Sequence, residues 1–264
     1  TLGSRSVAIG SGALNTQNFT TATDTYNVAI GDSAGVSITT GTLNTLIGGL
    51  AGDALTAAFE NTAVGESALS TDTLGRRTTA IGSGALQTQN FTTATDSYNV
   101  AVGYNAGVAN VTGGVNTFVG ALSGDANTTG DYNTTLGVST LGANTASNKN
   151  TAIGGNSMVN FNVTTDTDTF NTAVGYGSGE AITTGIRNTL IGALSGDTYT
   201  DADYNVAVGM FVLGSDTLGS RSTGVGYGAL QTQNFTTATD SYNVAVGYNA
   251  GAAVTTGVQN TIIG

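Results

Sequence analysis

Residues 84–107 read GALQTQNFTTATDSYNVAVGYNAG, and the same string recurs unchanged at 228–251. A near copy stands at 12–35 and a drifted one at 156–179, so the starts 12, 84, 156 and 228 lie 72 residues apart. Within and between these copies a shorter motif repeats: Asn or Ser/Thr, then Val/Thr, usually Ala, then Ile/Val/Leu, then Gly. Its glycines are Gly10, Gly31, Gly48, Gly65, Gly82, Gly103, Gly120, Gly137, Gly154, Gly175, Gly192, Gly209, Gly226, Gly247 and Gly264. Their gaps run 21, 17, 17, 17 and then repeat. A fixed short period is the mark of stacked rungs, each of which buries its apolar side only against its neighbours. The spacing predicts an all-β chain, a parallel β-solenoid of 17/17/17/21-residue rungs grouped in a 72-residue, four-rung super-repeat. The period runs through residues 1–264, which reads as one continuous repeat domain of about fifteen rungs, a window of a longer repeat tract.

The residue before each motif glycine is always aliphatic: Ile9, Ile30, Ile47, Val64, Ile81, Val102, Val119, Leu136, Ile153, Val174, Ile191, Val208, Val225, Val246 and Ile263. The residue two earlier is Val or Thr, and the two share one strand face because side chains alternate. Their β-branched character suits a strand. Their hydrophobicity points that face into a narrow core. Four residues past the motif glycine, Leu or Met in the first and fourth rungs of each group (Leu14, Leu69, Leu86, Leu141, Met158) gives way to Gly in the second and third (Gly35, Gly52, Gly107, Gly124). This reads as a second inward segment. Leu46, Phe118, Leu190 and Ile262 replace the usual motif Ala in the third rung of each group. That pattern implies volume compensation between positions sharing a core or a subunit interface.

Most motifs begin with Asn: Asn27, Asn44, Asn61, Asn99, Asn116, Asn133, Asn150, Asn171, Asn188, Asn205, Asn243 and Asn260. Stacked at about 4.8 Å, their amides form a ladder. The extra four residues of every fourth gap predict a loop on one side, recurring about every 19 Å. Each loop carries Asn-x-Thr, at Asn18, Asn90, Asn162 and Asn234, as a candidate binding or glycosylation point. Phe19, Phe91, Phe161 and Phe235 are expected to staple it down, with Tyr26, Tyr98, Phe170 and Tyr242 closing it.

Composition narrows the chemistry. The chain has no His, Cys, Pro or Trp and carries a formal charge of −11. That charge disfavours nucleic acid as a partner. Without His or Cys, the commonest general base and the thiolate metal ligands are missing. No apolar run is long enough for a membrane helix. Glu60, Glu66 and Glu180 show no catalytic pairing, so no enzyme is expected and no cofactor. The in-phase Asp53, Asp125, Asp197 and Asp24, Asp96, Asp168, Asp240 leave a weak case for Ca²⁺. Solvated charge is the preferred reading. Thr45, Thr62 and Thr79 form a ladder, but they share a phase with Val, which argues that they point inward rather than present a flat outward array.

The strings SVAIGSGAL (6–14), NTAVGESAL (61–69), NVAVGYNAG (99–107) and NTAIGGNSM (150–158) resemble the head repeats of trimeric autotransporter adhesins. They are also similar to repeats of long phage tail fibres. The resemblance implies a left-handed parallel β-roll and three chains packed side by side. It implies adhesion to a host surface or matrix, or a spacer role, at a cell surface or virion. The expected function is therefore a structural and adhesive extracellular shaft that partners itself, laterally or head to tail, and cell-surface glycan or matrix. A glycan- or ice-binding solenoid is the alternative.

Overall fold

The computed structural model describes residues 2–264, all of it strand, turn and loop with no helix among the described residues. The chain divides into two compact units, residues 1–132 and 133–264. Each is a parallel β-solenoid contributing one three-residue strand per rung. In the first unit these strands are Val7–Ile9, Val28–Ile30, Thr45–Ile47, Thr62–Val64, Thr79–Ile81, Val100–Val102 and Thr117–Val119. In the second they are Thr134–Leu136, Thr151–Ile153, Thr172–Val174, Thr189–Ile191, Val206–Val208, Thr223–Val225, Val244–Val246 and Thr261–Ile263. Neighbours pair in perfect motif register, as in Val28↔Thr45, Ala29↔Leu46 and Ile30↔Ile47.

The strands are short because a glycine ends each one. At Gly65, φ is +136°, and a Cβ would sit 2.5 Å from the carbonyl of Gly82 in the next rung. Only a residue without a side chain lets the backbones stack this closely.

The direction of the strand face is the main correction. The columns expected inside, Ile9 through Ile263 and the Val/Thr two earlier, face outward. Ile81 is 38% exposed, Ile191 40% and Leu136 49%. The middle residue between them is the inward one: Ala29, Leu46, Ala63, Ala80, Ala101 and Phe118 are fully buried, as are Ala152, Ala173, Leu190 and Ala207. Alternation fixes that the two columns oppose the middle residue, but not which side is inside. The cross-section decides it. The interior is filled by the middle residue, by the second segment (Leu69, Leu86, Leu141, Met158, Leu213 and Leu230, all fully buried) and by the Asn ladder. There is no room left for a β-branched pair in every rung.

The second inward segment and its volume compensation are present, and the compensation lies in the core. A Cβ on Gly107 would stand 2.6 Å from the Phe118 ring, and one on Gly35 2.7 Å from Leu46. The same exchange occurs once in a different form, with Val212 filling the space left by Gly224 in the motif.

The Asn ladder is buried and bonds chiefly to backbone. Asn27 Oδ1 accepts the Asn44 N–H at 3.0 Å, Asn44 Oδ1 accepts the Asn61 N–H at 3.1 Å, and Asn61 Oδ1 accepts the Thr78 N–H at 3.0 Å. Each amide also donates across the turn, Asn44 to Ala58 O at 2.9 Å and Asn61 to Gly75 O at 2.9 Å. The second unit repeats this with Asn171, Asn188 and Asn205. The amides thus satisfy backbone groups that the tight turns leave without a ladder partner.

Candidate interaction surface

The outward columns make a stripe of unusual chemistry. Every residue one or three before a motif glycine is Val, Ile, Leu or Thr, with no charge at any position. Thr45, Thr62 and Thr79 belong to this outward stripe, contrary to the inward phase expected for them. The residue five before each motif glycine borders the stripe on one side. It holds the left-handed conformation without being glycine, as at Tyr98 (φ 50°) and Arg77 (φ 57°). Such a residue costs about 1–2 kcal/mol, which the ladder bonds of the residue after it offset, Asn99 after Tyr98 and Thr78 after Arg77. The residue one after each glycine borders the other side, and Tyr104, Tyr176 and Tyr248 are exposed there.

The four-residue insertions stand on the first border. Each adds a two-residue strand paired in parallel to the preceding rung: Thr23–Asp24 on Gly3–Ser4, Thr95–Asp96 on Gly75–Arg76, Thr167–Asp168 on Ser147–Asn148, and Thr239–Asp240 on Gly219–Ser220. Phe19, Phe91, Phe161 and Phe235 are buried beneath them, as a staple requires. Asp24, Asp96, Asp168 and Asp240 each pair with a cation: Arg5, Arg77, Lys149 and Arg221. The same cations lie over Tyr26, Tyr98, Phe170 and Tyr242. Lys149 holds the Asp168 carboxyl below the usual carboxylate range. The loop acids are therefore ion-paired rather than merely solvated. The signal was available: 5, 77, 149 and 221 share the 72-residue period of the acids.

Beneath the loop lies a polar knot that the sequence reading missed. Asp72 is buried; its Oδ1 accepts the N–H of Gly75 and of Phe91, both at 3.0 Å, and its Oδ2 accepts Gln89 Nε2 at 2.7 Å. Gln89 Oε1 in turn accepts Asn99 Nδ2 at 2.9 Å, which ties the knot to the Asn ladder. Asp216, Gly219, Gln233 and Phe235 repeat it. In the drifted copy Asn144, Ser147 and Phe161 take the equivalent places.

The sequon asparagines lie at the loop base, Asn90 and Asn162 half-buried and Asn18 and Asn234 exposed. Asn90 Oδ1 accepts Thr73 Oγ1 at 3.1 Å, Asn162 accepts Thr145 Oγ1 at 2.9 Å and Asn234 accepts Thr217 Oγ1 at 3.2 Å. Asn18 donates its N–H to Thr39 O at 2.9 Å. Asp53, Asp125 and Asp197 are half-buried, and burial raises their pKa. No group of three or more acidic side chains gathers as a cation site among the described residues, and no pocket opens among them. No helix among them is long and apolar enough to cross a membrane.

Compared with known proteins, the chain matches no family model, no curated protein and no solved structure.

Proposed function

We propose that this chain is the structural, adhesive shaft of an extracellular fibre, a bacterial surface adhesin or phage tail fibre, and that copies associate laterally through the charge-free stripe. The outward stripe carries this reading. Two aliphatic or Thr columns recur in every rung without one charged residue, while acids and cations lie at its borders, in the loops and in the turns. An uncharged face with an unbroken exposed aliphatic column marks an interaction site. The repeated loops are the points at which the shaft would meet glycan or matrix. The reading assigns no catalytic step and no cofactor.

Analytical ultracentrifugation with electron microscopy tests it. The wild-type chain is expected to sediment as a small oligomer of elongated particles. Val64→Asp with Ile81→Asp is expected to give a folded monomer by circular dichroism. A wild-type monomer refutes lateral association. Glycan-array binding lost on Asn90→Gln and Thr92→Ala would place adhesion on the loops, whereas unchanged binding would move it elsewhere.

One observation favours a second reading. Thr45, Thr62 and Thr79 stack in register on the part-exposed side of their strands, a regular Thr column of the kind an ordered-surface or ice binder requires. Thermal hysteresis in the wild type, abolished by Thr62→Asp, is its expected sign.

A further inference from the structure

The two borders of the stripe belong together. The residue five before a motif glycine and the residue one after it are separated by an extended strand, about 20 Å of chain. They do not touch within one chain, yet their sizes vary together along it. Where the first is aromatic the second is aromatic or aliphatic in five rungs of six, as in Tyr98 with Tyr104, Phe170 with Tyr176 and Tyr204 with Met210, Tyr26 being the exception. Where the first is a cation or Leu the second is small in five rungs of six, as in Arg77 with Ser83, Lys149 with Gly155 and Leu43 with Gly49, Arg221 being the exception. Tyr26 with Asp32 matches a phenol donor to a carboxylate, and Arg221 with Tyr227 a cation to a ring. Glu60 with Glu66 alone sets like charges in one row, and there Arg77 already pairs with Glu60.

We infer that the two borders meet across copies: the residue before the stripe in one chain lies against the residue after it, in the same rung, of a second chain. This rests on the lateral association proposed above and adds its direction and register. Chains that run the same way, related by rotation about the stacking direction, bring opposite borders together. A two-fold axis across the stripe brings like borders together, Tyr98 against Tyr98. The area suits a second copy. The seven rungs of the first unit, about 4.8 Å apart and about 20 Å wide, present about 650 Å². A standard interface covers about 800 Å² per partner, so one unit supplies most of it.

The chain has no cysteine, so introduced thiols report cleanly. Tyr98 and Tyr104 are both more than half exposed, 52% and 59%, so replacing them spares the core. Tyr98→Cys, Tyr104→Cys and the double variant are treated with a short bifunctional thiol reagent and separated on a denaturing gel. Interchain product in the double variant and none in either single variant is the expected result. Peptide mapping should then join position 98 of one chain to 104 of another. Product from Tyr98→Cys alone overturns the inference in favour of like borders. A sedimenting oligomer without the 98–104 product overturns the register while leaving lateral association standing. A monomer removes both.

Discussion

At the residue scale the motif glycine and the motif asparagine carry the greatest structural weight. Gly65→Ala meets both a forbidden φ and the Gly82 carbonyl. It is expected to lower the unfolding free energy by about 3 kcal/mol or more. Gly49→Ala, where an added Cβ meets nothing within 4 Å, is expected to be near neutral in the same denaturant titration. Asn44→Ala leaves the Asn61 N–H and the Ala58 carbonyl without their side-chain partner. Two buried groups left unpaired cost about 3 kcal/mol, read as a lower melting temperature. Both residues were legible in the sequence because each recurs at fixed phase. The direction of Ile81 was not. Hydrophobicity favoured Ile over Ala for the core, and alternation left the choice of side open. The deciding clue was parity. The buried polar residue four before the glycine, Asn61 in one rung and Thr78 in the next, shares its face with the residue two before it, so Ala63 and Ala80 face in and Val64 and Ile81 out. The Gly107–Phe118 exchange pointed the same way, since a residue that trades volume with a core glycine must itself be in the core.

At the element scale the insertion loop and the turn beneath it form one set. A side chain at Gly75 would collide with the Asp72 carboxylate. The drifted copy carries Ser147 in that place beside Asn144, whose Oδ1 accepts the Ser147 N–H at 3.2 Å. Gly75→Ser alone is therefore expected to lower the melting temperature, and Asp72→Asn with Gly75→Ser to recover part of the loss. Adding Thr78→Asn, Gln89→Phe and Phe91→Val completes the drifted copy's set and is expected to recover most of it. If the five changes together melt no higher than Gly75→Ser, the positions are not one set. The sequence showed the loop, its staple and its period. It did not show the knot, because Asp72 and Gln89 lie in different rungs and only the fold brings them within 2.7 Å.

At the scale of the whole molecule, charge shapes the response to pH. Burial raises the pKa of Asp53, Asp72, Asp125, Asp197 and Asp203 above the usual 3.8. The folded chain therefore holds these protons more tightly than the unfolded chain. The stability they contribute appears as pH falls through the raised values and is lost again toward neutrality. Asp168, held down by Lys149, acts in the opposite sense. Falling pH also relieves the self-repulsion of a charge of −11. The melting temperature is expected to be higher at about pH 4.5 than at neutral pH; a lower value at the acid end would show that paired acids such as Asp168 dominate. The pairing pattern has a consequence for inheritance as well. Every ladder bond and strand pair described links a rung only to its neighbours. Residues 84–107 and 228–251 are identical and start 144 residues apart, two whole super-repeats. Unequal crossing-over between their coding sequences deletes or adds that span and leaves a junction whose local sequence already exists in the protein. Length can then change in a single genetic event, with no new packing problem for selection to solve.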